Sequence, residues 1–260
     1  MNALAHEARL ALIALQFFTR LPMPSWLGHS PELLGASARH LPFVGLIVGG
    51  IVSCVFWSAR VVLPHAVAIV ISMAAGVWIT GGFHEDGLAD SCDGFGGGAD
   101  REAVLRIMKD SRAGSYAILG VGLALLLKFA SLESFAPGKF MPVVISAHAF
   151  SRLMAVSVMY TQSYARDEAT SKIRPAAVRI TGWALAGAAA VAIAPMPWLG
   201  MAALPGAVAA LAGCVALAWS FRRRIGGYTG DSLGAIQQVT ELIFYLGVLT
   251  WNSRGTAAGI

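Results

Sequence analysis

The chain has 260 residues, of which 57% are hydrophobic and only 13% are charged, and its formal net charge is +5. Its mean hydropathy is +0.67. Because a soluble globular domain has about 25% charged residues, this composition excludes an ordinary water-soluble domain and indicates a protein that lies in a lipid bilayer.

The apolar segments, taken in chain order, predict about seven transmembrane helices. The first segment, residues 4–18, is short and contains Glu7 and Arg9, so it predicts an interfacial or partly buried helix and not an eighth span. A span needs about 20 apolar residues, and segments of about that length lie at 41–63, 65–83, 115–135, 140–160, 182–199, 202–220 and 236–252. The fold class that follows is all-α, a polytopic helical bundle that forms a single integral membrane domain over residues 1–260.

Basic residues are distributed unequally between the two sides of the predicted bundle. The N-terminal segment and the loops after the second, fourth and sixth spans hold fourteen Lys and Arg residues, whereas the opposite side holds three. The positive-inside rule places the richer side in the cytoplasm. This topology accounts for the net positive charge, so the charge does not indicate a nucleic-acid partner.

An acidic cluster follows the second span, in the sequence TGGFHEDGLADSCD at 80–93. Asp86, Asp90 and Asp93 are spaced four and three residues apart, which on a helix places the three carboxylates on one face. A cation relieves their repulsion, and an all-oxygen cluster suits Mg²⁺. The alternative is a set of solvated loop carboxylates. The cluster predicts a magnesium site that binds a diphosphate at the cytoplasmic membrane surface.

Two groups of residues near the cluster are further candidates. His84 is suited to orienting a nucleophile or donating to a phosphate, and it is equally well explained as an interfacial histidine. Lys109, Asp110 and Arg112 follow the cluster, and the planar guanidinium of Arg112 can clamp a phosphate bidentately. Their alternative explanation is the positive charge that topology requires.

Three charged residues lie away from the ends of the predicted spans, where charge is costly and usually functional. They are Lys128, Arg152 and Glu241. Arg152 is a candidate for neutralising phosphate oxygens. The alternative is a pair of buried structural ion pairs, such as Lys128 with Glu133 or Arg152 with Glu241.

A glycine-rich loop, GGYTGDS at 226–232, precedes the last span and returns to the cytoplasmic side. Gly227 and Thr229 are candidates for close approach to a phosphate. Asp231 is explained either as a helix N-cap or as a fourth carboxylate of the metal site.

These motifs together resemble the cobalamin synthase family, the adenosylcobinamide-GDP ribazoletransferases. The most specific segments are TGGFHEDGLADSCDGF at 80–95 and GGYTGDSLGAIQQVTEL at 226–242; FFTRLPMP at 17–24, LPFVGLIVGG at 41–50 and MKDSRAGSY at 108–116 support them. The resemblance implies an integral membrane catalytic domain that uses Mg²⁺ as its cofactor. It implies that adenosylcobinamide-GDP is joined to α-ribazole or its 5′-phosphate with release of GMP.

The resemblance also implies roles for the candidate residues. The catalytic candidates are Asp86, Asp90, Asp93, His84 and Arg112. The substrate-binding candidates are Arg20, Lys109, Asp110, Arg152, Gly227, Thr229 and Asp231. The metal-binding candidates are Asp86, Asp90, Asp93, Asp231 and Glu85. The expected partners are the two substrates and the lipid bilayer, and the oligomeric state, a homo-oligomer included, stays open.

Three other functions compete with this interpretation. A CDP-alcohol phosphotransferase also places spaced aspartates near a membrane surface, but its DG-x2-AR continuation is absent, because Asp93-Gly94 is followed by Phe95. A prenyltransferase would use an aspartate-rich magnesium site as well. A transporter would use Lys128, Arg152 and Glu241 as pathway residues, and acids clustered in a loop instead of at the membrane midplane disfavour it.

Overall fold

The computed structural model describes residues 3–28, 30–165 and 180–257 of the chain, and it is a helical bundle. Within this part the structure has eleven α-helices and no β-strand, only an isolated bridge between Tyr164 and Tyr228. The helices are α1 Ala3–Phe18, α2 Pro31–Ser37, α3 Leu41–Arg60, α4 His65–Thr80, α5 Phe83–Gly97, α6 Arg101–Ile107, α7 Ser115–Glu133, α8 Pro137–Thr161, α9 Gly182–Ile193, α10 Ala203–Ile225 and α11 Gly230–Ala257.

The predicted fold class, an all-α polytopic membrane bundle, is confirmed, but the number of spans is smaller than expected. In the described part five helical segments are long and apolar enough to cross a membrane, or six if the bent pair α4–α5 counts as one span. In the predicted span 182–199 the α-helix is α9, which has only 12 residues and ends at Ile193. At 1.5 Å per residue this helix is about 18 Å long, short of the roughly 30 Å hydrocarbon core. The N-terminal helix α1 is not among the candidate spans.

A sharp bend between α4 and α5 replaces the uninterrupted helix expected at 65–83. The two helix axes meet at 88°. Gly81 and Gly82 lie at the bend with φ angles of 68° and 70°, a region that only glycine adopts readily because it has no Cβ. The Gly82 amide donates to the Val77 carbonyl at 2.9 Å and so caps α4. The bend directs the acidic sequence into a separate helix, α5.

Close contact between α3 and α8 forms the centre of the bundle. A Cβ atom at Gly45 would collide with the backbone at His148, and one at Gly49 would lie 2.9 Å from the Cα atom of Ile145. Small residues at such positions let membrane helices pack backbone to backbone. The phenyl rings of Phe56 and Phe140 stack at 3.7 Å between centroids further along the same interface.

The loops that sequence analysis assigned to one side meet at one end of the bundle. The Arg101 guanidinium, at the start of α6, donates to the carbonyls of Ile225 at 2.9 Å and Ala165 at 2.8 Å. Arg224, at the end of α10, donates to the Gly98 carbonyl at 2.8 Å. These bonds join the segments after α5, α8 and α10. Of the predicted loop 161–179, residues 166–179 lie outside the described residues.

Candidate active site

The helix α5 carries the acidic cluster at the end of the bundle where these loops meet. The predicted helical register is confirmed, since Asp86, Asp90 and Asp93 all lie within Phe83–Gly97. Asp86 is exposed, and the other two are half-buried. Asp86 also lies in the first turn of the helix, where the helix dipole favours negative charge.

Asp93 is engaged by the backbone of the neighbouring helix α7. One carboxylate oxygen accepts from the Gly114 amide at 2.5 Å and the other accepts from the Ala117 amide at 2.9 Å. Gly114 is the N-cap residue of α7, so the Asp93 carboxylate satisfies two backbone donors that the helix leaves unpaired at its start. Asp93 therefore joins α5 to α7.

The three aspartates do not form a preformed metal cage. Among the residues that the structure describes, no three His, Cys, Asp or Glu side chains lie close enough together to hold a metal ion. Asp93 instead faces the start of α7, and the magnesium site at the acidic cluster stays a prediction. Mg²⁺ commonly uses one or two carboxylates together with substrate phosphates and water. The oxygen donors on α5 suit that mode of binding.

A cleft beside the bend brings a predicted arginine to the acidic helix. Arg20, Glu85 and Asp86 all line it. The Arg20 side chain crosses over Gly81, where a Cβ atom would lie 3.1 Å from its Nε atom. A guanidinium and two carboxylates on one cleft can together bind a diphosphate and its counter-cation.

Glu85 lies between this cleft and the interior of the bundle. Its Oε1 atom accepts from the Gln238 side-chain amide at 3.0 Å. Its Oε2 atom is buried and has no hydrogen-bond partner in the described structure. Buried polar atoms are usually satisfied, so this oxygen is available to a water molecule or a cation.

A buried polar network continues from Glu85 into the bundle and surrounds Glu241. The Glu241 carboxylate lies 2.6 Å from the Lys128 ammonium and accepts from the Tyr245 hydroxyl at 2.9 Å and the Gln237 amide at 2.7 Å. Lys128 therefore pairs with Glu241 and not with Glu133, which is exposed. Sequence analysis did not identify Gln238 or Tyr245 as members of this network, although Gln237, Glu241 and Tyr245 follow a four-residue spacing.

Arg152 lies in the same interior region, below the candidate active site. Its side chain is 2% exposed. Its Nη1 atom lies 3.1 Å from the Nδ1 atom of His148 and donates to the His148 carbonyl at 3.0 Å, so its direct contacts are with His148 and not with Glu241. The Nε atom of Arg152 is buried and has no partner in the described structure.

His84 is buried inside the bundle and not on the acidic face. It is 4% exposed, and its imidazole ring stacks on the Phe18 ring at 6.4 Å between centroids. Together with Arg152 and Gln237 it lines two adjoining cavities, one apolar and one polar. The structure thus separates His84 from the exposed carboxylate of Asp86.

The residues of the 109–112 segment lie on the exposed surface. The Arg112 guanidinium holds the Asp110 carboxylate with two contacts, of 3.0 Å and 2.6 Å. Hydrogen bonds from Arg112 lower the pKa of Asp110 to about 2. Arg112 is 87% exposed, so its predicted role as a phosphate clamp requires exchange of this weak surface pair for substrate oxygens. Lys109 is exposed beside it.

The glycine-rich loop is held by contacts within the protein. Gly227 packs against the Ser163 carbonyl, which leaves no space there for a side chain. Thr229 is the N-cap of α11: its amide donates to the Ser232 hydroxyl at 2.7 Å, and its own hydroxyl accepts from the Ser232 amide at 3.1 Å. The structure assigns Gly227 and Thr229 to folding contacts. The predicted alternative of Asp231 as N-cap is corrected, because Thr229 occupies that position.

Asp231 lies in the first turn of α11, against the acidic helix. A Cβ atom at Gly87 would lie 2.6 Å from the Asp231 carbonyl oxygen, and one at Gly234 would lie 3.1 Å from the His84 carbonyl oxygen. The backbones of α5 and α11 therefore touch. As predicted, the 226–235 loop returns to the same face as the acidic cluster, and it brings the backbone of Asp231 against Gly87, near the start of α5.

Comparison with known proteins agrees with these features. The family model described as cobalamin-5-phosphate synthase matches residues 10–249. A protein of Leptothrix cholodnii named adenosylcobinamide-GDP ribazoletransferase is 50% identical over 96% of this chain and 98% of its own length. Proteins with the same name from Shewanella frigidimarina and Shewanella woodyi are each 43% identical, over 94% and 97% of this chain and 95% and 100% of their own lengths. No solved structure matches the chain.

Proposed function

The chain belongs to the cobalamin-5-phosphate synthase family and is a transferase, and from this premise we propose that it joins adenosylcobinamide-GDP to α-ribazole or α-ribazole 5′-phosphate. The products are adenosylcobalamin or its 5′-phosphate, together with GMP. This reaction is the late lower-ligand assembly step of cobalamin biosynthesis. The observation that carries the proposal is the cleft in which Arg20 lies beside the carboxylates of Glu85 and Asp86.

The transfer exchanges the phosphoanhydride linkage of adenosylcobinamide-GDP for a new phosphate ester linkage. A ribose hydroxyl of α-ribazole attacks the phosphorus atom that is attached to cobinamide. A new P–O bond forms to the ribose, the P–O bond to GMP breaks, and GMP leaves with the bonding electrons. Such reactions depend mainly on positioning and on electrostatic stabilisation of the transferred group.

The residues of this chain supply both effects at the end of the bundle. Arg20 lines the cleft and faces the charge of the diphosphate, and Arg112 adds a second guanidinium once it leaves Asp110. The hydroxyl proton passes to a carboxylate of the acidic face or to His84. The exposed position of Asp86 favours a carboxylate.

Magnesium is the cofactor that we propose, and when bound it would neutralise charge on the diphosphate and on the leaving GMP. One or two of the Asp86, Asp90 and Asp231 carboxylates would hold it together with substrate phosphates and water, and Asp231 is a candidate because the backbones of α5 and α11 touch at Gly87. Glu85 has an unpartnered oxygen beside the same cleft. Asp93 would act mainly through its contacts with α7.

The active site lies on the cytoplasmic face of the inner membrane in this proposal. The basis is the bias of basic residues toward the bundle end that carries α5 and the start of α11. Water-soluble substrates such as adenosylcobinamide-GDP would reach the cleft from that side.

The decisive experiment supplies the purified protein with adenosylcobinamide-GDP, α-ribazole and Mg²⁺ and measures GMP and the cobalamin product by chromatography. We expect equal amounts of both products, and none when α-ribazole or Mg²⁺ is omitted. Asp86→Asn should abolish turnover. Asp100→Asn is the matched control, because Asp100 only caps α6 through the Ala103 amide. GMP release that does not depend on α-ribazole would contradict the proposal.

A further inference from the structure

An apolar pocket adjoins the candidate active site. It lies between the N-terminal helices α1 and α2 and the helices α8 and α11, and the space in it that the centres of water-sized spheres can occupy is about 80 Å³. The phenyl rings of Phe17 and Phe18 contact that of Phe83 at 5.7 Å and 5.6 Å between centroids, and Tyr164 and Tyr228 form a second ring pair at 5.5 Å. The walls are therefore suited to a flat aromatic ligand.

The same pocket has a small polar floor. His84, Arg152 and Gln237 line both this pocket and the cavity of the buried polar network. The Nε atom of Arg152 is buried and has no hydrogen-bond partner in the described structure. Because a buried donor without a partner is unfavourable, a ligand with one acceptor atom would gain affinity by reaching it.

We propose that this pocket binds the bicyclic base of α-ribazole, with the free ring nitrogen of the base directed toward Arg152. The inference rests on the proposed function, which requires that nucleoside as a substrate. A benzimidazole base is flat, apolar and has a single free ring nitrogen. Guanine, the other base in the reaction, has several donors and acceptors that apolar walls would leave unsatisfied.

The position of the pocket fits the chemistry of the transfer. Phe17 and Phe83 line this pocket and also the cleft that contains Arg20 and Asp86. A nucleoside whose base lies in the pocket can therefore extend its ribose past these two rings toward the carboxylates. The pocket would select the base, while the cleft would hold the diphosphate of the other substrate.

The test fills the pocket from α8, away from the acidic helix. Ala155 lines the pocket and is 4% exposed, so Ala155→Leu places three more carbon atoms in it. We expect the KM for α-ribazole to rise by about 10-fold to 100-fold, in the range that one misplaced apolar group produces, with the KM for adenosylcobinamide-GDP unchanged. The riboside of benzimidazole itself, which lacks the methyl groups of the α-ribazole base and is smaller, should show a smaller rise in KM. Ala216→Leu adds the same atoms at an exposed position of α10 and should change neither value.

A second variant guards against simple misfolding. Met159 also lines the pocket, and Met159→Ala should improve turnover of a riboside with a larger, tricyclic base relative to α-ribazole. A misfolded protein cannot show such a gain. Direct binding of α-ribazole, measured by equilibrium dialysis without the other substrate or Mg²⁺, should weaken in Ala155→Leu and not in Ala216→Leu.

The outcomes separate this inference from the proposed function. If the wild-type protein releases GMP and neither Ala155→Leu nor Met159→Ala changes the preference among bases, the pocket assignment is overturned and the proposed function stands. If α-ribazole binds saturably with the expected effect of Ala155→Leu but no GMP is released, the proposed reaction falls and the pocket assignment stands. If the wild-type protein shows neither activity, both are overturned.

Discussion

The same substitution at two aspartates of α5 should have different effects on stability. Asp93 accepts hydrogen bonds from the Gly114 and Ala117 amides at 2.5 Å and 2.9 Å, whereas Asp86 is exposed in the cleft. In Asp93→Asn the side chain has only one acceptor oxygen, and its NH₂ group faces the second backbone donor. We therefore expect Asp93→Asn to destabilise the protein more than Asp86→Asn does.

The magnitude follows from the contacts that are lost. One backbone donor left unsatisfied costs about 1–3 kcal/mol, and removing a negative charge from a helix N-terminus costs about 0.3–1 kcal/mol more. Asp93→Asn should thus lower the free energy of unfolding by about 1.3–4 kcal/mol. Asp86→Asn leaves no backbone donor unsatisfied and should lower it by at most about 0.3–1 kcal/mol, the cost of removing a negative charge from the first turn of α5. Both variants should lower GMP release by orders of magnitude at limiting Mg²⁺.

The assay combines reversible unfolding in mixed detergent micelles, titrated with a denaturing detergent and followed by tryptophan fluorescence, with measurement of GMP release. Asp100→Asn serves as the control, because asparagine is a good N-cap and should preserve the bond to the Ala103 amide. Equal stability of Asp86→Asn and Asp93→Asn would refute the capping role of Asp93. Near-normal turnover in the Asn variants of Asp86, Asp90 and Asp93 would refute the magnesium hypothesis.

Three further predictions concern the last helix, the interior network and the topology. Because Thr229 caps α11, Asp231→Asn should give a folded, membrane-inserted protein with severely reduced GMP release. Retention of most activity would remove Asp231 from the site. Lys128→Met should destabilise the bundle by about 3–5 kcal/mol, because it leaves the Glu241 carboxylate buried without its cation. The double variant Lys128→Met with Glu241→Gln should recover part of this loss of stability. A double variant whose loss equals the sum of the two single losses would contradict the pairing. The predicted cytoplasmic loops are 84–114, 161–179 and 222–235. Single cysteines introduced into these loops of a cysteine-free variant should not react with membrane-impermeant reagents added outside intact cells. Efficient labelling of any one loop would contradict the topology.

Local patterns in the sequence were sufficient to predict the fold class and the location of the candidate site. Long apolar segments identify membrane helices, because an unpaired backbone in lipid is too costly for any other arrangement within one segment. The spacing of Asp86, Asp90 and Asp93 predicted one helical face, since helical periodicity depends only on position along the chain. The number of spans was less predictable, because composition alone does not show that Gly81 and Gly82 bend the chain by 88°.

The choice of partners was decided only by the tertiary structure. The sequence by itself determined that the charges of Lys128 and Glu241 need partners of opposite charge in an apolar interior. Several such partners were available, and packing of α7 against α11 selected the pair that these two residues form. In the same way, periodicity placed Asp93 on the acidic face of α5, while the approach of α7 directed its carboxylate to two backbone amides. Residues far apart in the chain meet according to how whole helices pack, and that packing depends on contacts that no single segment contains.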